Sequence, residues 1–90
     1  MTHLGHNGIH DLYLVDEAEV VKMWDVTFAH DTIGSEYRIL RGEVIVGRFV
    51  TESRWSDYEE IVEVDVARNE RVLALDTDGR FHKVPAGSLS

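Results

Sequence analysis

Ninety residues suffice for one small domain, and the formal charge of −8, from 17 acidic against 9 basic residues, sets it against phosphate backbones and anionic membrane surfaces. The chain has no cysteine, so disulfides and thiolate metal clusters are excluded, and no apolar run approaches the roughly 20 residues that cross a bilayer. A hydrophobic content of 43% with mean hydropathy of −0.21 describes a globular chain rather than a disordered one.

Residues 1–10 (MTHLGHNGIH) mix glycine, asparagine and three histidines without periodicity, and they read as a flexible arm ahead of a single β-rich domain over 11–90. Their lack of a basic start and an apolar stretch is not that of a secretory signal, and a cytoplasmic location is the expectation. Residues 11–15 (DLYLV) form a short apolar run of strand type. Asp16 with Glu19 three residues later resembles a helix opening, and Val20, Trp24 and Phe28 recur at four-residue intervals. The pattern favours one short helix over about 16–25; β-branched Val21, Val26 and Thr27 supply the competing strand reading for 20–29.

From Glu36 onward alternation takes over. Residues 37–41 (YRILR), 43–52 (EVIVGRFVTE), 60–67 (EIVEVDVA), 71–75 (RVLAL) and 80–84 read as strands, with Val62, Val64 and Val66 facing opposite to Glu63 and Asp65. Asp76-Thr77-Asp78-Gly79 is a hairpin connector, because an Asp-Gly pair tolerates the positive φ of a tight turn. The expected fold is therefore mainly β, α+β with one short N-terminal helix. Its core architecture is a small, strongly bent antiparallel sheet or a partly closed barrel of SH3-like type.

Catalytic chemistry finds little support. His30-Asp31 and His82 are the titratable candidates beyond the N-terminal histidines, but no serine elbow, phosphate-cradling glycine loop or dinucleotide motif accompanies them. The expectation is a protein that is not an enzyme and needs no cofactor. His3, His6 and His10, at spacings of three and four, are weak metal candidates, since the intervening glycines make poor helix.

The leading expectation is a protein-binding or assembly domain. Arg54, Trp55, Asp57 and Tyr58 form a loop of the residue types enriched in binding hot spots, and Glu60, Glu63 and Asp65 add an adjacent acidic strand face. A basic protein partner or a second copy of the chain fits that surface. Two alternatives stand beside it: an acidic inhibitor of phage or mobile-element type that mimics nucleic acid, and a small-ligand or metal-binding protein.

Overall fold

Two-residue alternation of apolar and polar side chains lets a strand bury one face and solvate the other, and it governs nearly the whole chain. The computed structural model describes residues 1–55 and 58–84, with the backbone alone for Arg54 and Trp55. Among the described residues there are eight strands: β1 (Thr2–His6), β2 (Asp11–Leu14), β3 (Glu19–Thr27), β4 (Ile33–Arg41), β5 (Val44–Trp55), β6 (Tyr58–Val66), β7 (Val72–Leu75) and β8 (Phe81–Lys83). They form two four-stranded antiparallel sheets, ordered β1-β2-β7-β8 and β3-β4-β5-β6. The second is a meander of consecutive hairpins. The first joins the N-terminal hairpin to the C-terminal one through β2 and β7, so the meander is an insertion between its halves.

Alternation in β2 turns Leu12 and Leu14 fully inward and leaves Asp11 and Tyr13 on the outer side. With Leu4 and Val72 they make one wall of the core; Ile39, Val46, Phe49 and Ile61 of the second sheet make the other. Tyr37 lies flat on Phe49, ring centroids 4.8 Å apart and planes 9° from parallel. The sheets also meet where β6 passes β1: Gly5 lies so close to Ile61 that a Cβ there would sit 3.0 Å from its Cδ1.

The mainly β reading stands, and three finer expectations are corrected. The helix over 16–25 is absent; residues 19–27 are β3, paired along their length with β4. Val20 faces the core opposite Ile39, and a bulge at Met23 then turns Trp24 to the outer face opposite Glu36. Val20 and Trp24 therefore face opposite sides of β3 and do not share the single face that their four-residue spacing suggests. Residues 1–10 are not a loose arm, because β1 pairs with β2 and buries Leu4. In β6, Val62 is the extra residue of a bulge, and Ile61 takes the buried position ahead of Val64 and Val66.

The hairpin connector forms as its residues dictate. The Asp76 carboxylate accepts hydrogen bonds from the backbone N–H groups of Asp78 and Arg80, both at 2.9 Å, while the Asp76 N–H donates to the Arg80 carbonyl at 3.0 Å. Among the described residues no helix is long and apolar enough to cross a membrane.

Candidate functional site

Glu63 and Asp65 alternate with core-facing Val64 and Val66 and so stand on the outer face of the second sheet, opposite Val50 and Arg48. Arg48 does not leave them as a row of bare carboxylates. Its guanidinium donates to Glu63 Oε1 at 2.9 Å and, from Nε at 2.9 Å and Nη2 at 2.5 Å, to Glu36 Oε1. Hydrogen bonds to Glu36 and then to Glu63 push the Arg48 pKa up, so this cation is a fixed part of the face. Val50 belongs to the same face by register and is only 5% exposed, outside the main core cluster.

Trp24 completes this surface, and sequence reasoning had placed it on a helix. It is half-exposed, and the Arg38 guanidinium lies over its ring, 5.7 Å from the centroid. Beside them a shallow depression of about 400 Å³ is lined by Arg38, Ile45, Arg48 and Asp65. Ile45 is itself 55% exposed. The face therefore offers an aromatic ring, two arginines and carboxylates around a concavity.

The remaining expected partner residues are divided. Tyr58 and Glu60 lie against the first sheet: Tyr58 stacks on His6 with centroids 5.9 Å apart, and Glu60 Oε1 would lie 2.6 Å from a Cβ on Gly8. The side chains of Arg54 and Trp55, and all of Asp57, lie outside the described residues.

A second constellation occupies the outer face of the first sheet. Residues three apart on a regular strand point to opposite sides, yet His3 and His6 share one side because the register shifts between His3 and Gly5. Leu4 is the extra residue and turns inward. His6 stands opposite Asp11 and His3 opposite Tyr13. Asp11 Oδ1 lies 3.1 Å from His3 Nε2 and 2.6 Å from His6 Nδ1, and the three candidate ligand atoms all fall within 4.8 Å of one another. His10 stays apart. Its N–H donates to Asn7 Oδ1, and its carbonyl accepts the Asn7 N–H, closing the β1–β2 turn.

The other histidines have local roles. His82 pairs with the Asp76 carboxylate, which the Arg80 N–H first and then His82 hold below the usual carboxylate range. His30 and Asp31 form an exposed turn with both φ angles at +59°. Comparison with known proteins gives no match to a family, to a curated sequence or to a solved structure.

Proposed function

We propose that this chain is a non-enzymatic protein-binding module that receives a basic partner on the outer face of the β3–β6 sheet. The observation that carries the reading is Trp24, large, half-exposed and capped by Arg38 on a face that also holds Glu36, Glu63 and Asp65. Tryptophan and arginine are the residues most enriched where binding energy concentrates, and they act best at the centre of a patch with a polar rim. The formal charge of −8 draws a basic partner inward from solution and opposes nucleic acid and anionic membranes. An SH3-like barrel and a cytoplasmic setting go with the proposal.

Affinity capture from the cells that encode the protein tests it, with wild type, Trp24→Ala and Asp65→Lys compared quantitatively and their folding checked by circular dichroism. A specific partner retained by wild type should fall by about tenfold or more with Trp24→Ala. Equal retention by both folded variants would overturn the assignment of this face. Light scattering on the purified protein tells whether that partner is a second copy.

A further inference from the structure

The first sheet carries an independent site that goes beyond the partner-binding reading. We infer that His3, His6 and Asp11 bind a divalent transition-metal ion of the zinc class.

The argument starts from the backbone. A bulge is needed for His3 and His6 to share a face at all, and the hairpin then sets Asp11 directly across from His6. A single carboxylate oxygen consequently lies between two imidazole nitrogens, at 3.1 Å from His3 Nε2 and 2.6 Å from His6 Nδ1. A tetrahedral zinc site, with ligand bonds of about 2.0–2.2 Å, holds its donor atoms about 3.4 Å apart. The three donors already lie within 4.8 Å of one another, so only small side-chain adjustments separate them from that spacing. Both imidazoles are half-exposed, with 47% of each side chain open to solvent, so these adjustments meet no packed core.

Aromatic neighbours restrict the two rings. His3 lies 4.9 Å from the Tyr13 ring, and His6 is stacked between the site and Tyr58 at 20°. Such support limits the orientations from which each nitrogen can meet an ion. Two imidazoles and one carboxylate suit zinc, cobalt or nickel rather than magnesium or calcium, which prefer oxygen. Three protein donors leave a fourth position facing solvent.

Calorimetric titration of untagged, chelator-stripped protein with zinc chloride tests the site. One ion per chain is expected, with binding at least about tenfold weaker for each of His3→Ala, His6→Ala and Asp11→Asn. His10→Ala should bind like wild type. So should Trp24→Ala, which keeps this test separate from that of the partner face. Cobalt loading gives a second readout: the visible absorption of a four-coordinate ion should appear in wild type and vanish in Asp11→Asn. Absence of saturable one-to-one binding, or undiminished binding by the His3 and His6 variants, would overturn the inference.

Discussion

Gly5 permits both the bulge in β1 and the approach of β6. Its φ of +145° lies where a side chain is strained, and a Cβ would also press on Ile61 at 3.0 Å from Cδ1 and 3.3 Å from Cγ1. Gly5→Ala should destabilise the protein by about 1–3 kcal/mol in urea unfolding. Because the same bulge puts His3 and His6 on one face, zinc affinity should fall with it. Asp76 shows a different kind of dependence. Its folded pKa is depressed, so the stabilisation it gives is fully present above the ordinary aspartate value of about 3.9 and is lost as pH falls through the folded value. The stability difference between wild type and Asp76→Asn should persist at about pH 5 and shrink on further acidification. Thermal melts across that range would measure it.

At the scale of elements, the strands with clean alternation could be read from residues alone. Glu63 and Asp65 against Val64 and Val66 in β6, and the Asp76–Gly79 connector, follow from period and turn chemistry. What escaped was set by bulges. In β3 the extra Met23 turns Trp24 to the face opposite Val20, which hid Trp24 as a surface group. In β1 the extra Leu4 brought two histidines together, and Asp11 became their neighbour only through pairing that no local pattern announces. Glu63 and Asp65 on the outer face of the second sheet were legible, but Glu36 and the Arg48 between it and Glu63 required the register of three strands. That the N-terminal segment is structural has a direct consequence. Leu4, 8% exposed and part of the core cluster, should cost about 2–5 kcal/mol when replaced by alanine. Removal of residues 1–10 should lower the melting temperature markedly; an unchanged melt would argue for a dispensable arm.

Across the whole molecule, internal pairing decides where the surplus charge resides. Arg41 is held by Glu70 at 2.6 Å and reaches Asp16 at 3.6 Å, while Arg48 joins Glu36 and Glu63. These two cations are committed within the fold, and 17 acidic residues against 9 basic ones leave an anionic exterior. Under the proposed function, a field of that sign would act mainly on how fast a basic partner arrives, and burial of Trp24 against that partner on how slowly it leaves. The two contributions are separable once a partner is in hand. Reversing Glu63 and Asp65 to lysine moves the net charge from −8 to −4, two units for each substitution. Surface plasmon resonance should show a slower association rate and a weaker salt dependence for that double variant. Trp24→Ala should instead raise the dissociation rate at every ionic strength. Since charges are screened over about 10 Å at 0.1 M salt, the wild-type association rate should drop steeply between low and high salt. An association rate indifferent to salt would assign the acidity to solubility and leave recognition to Trp24 and its neighbours alone.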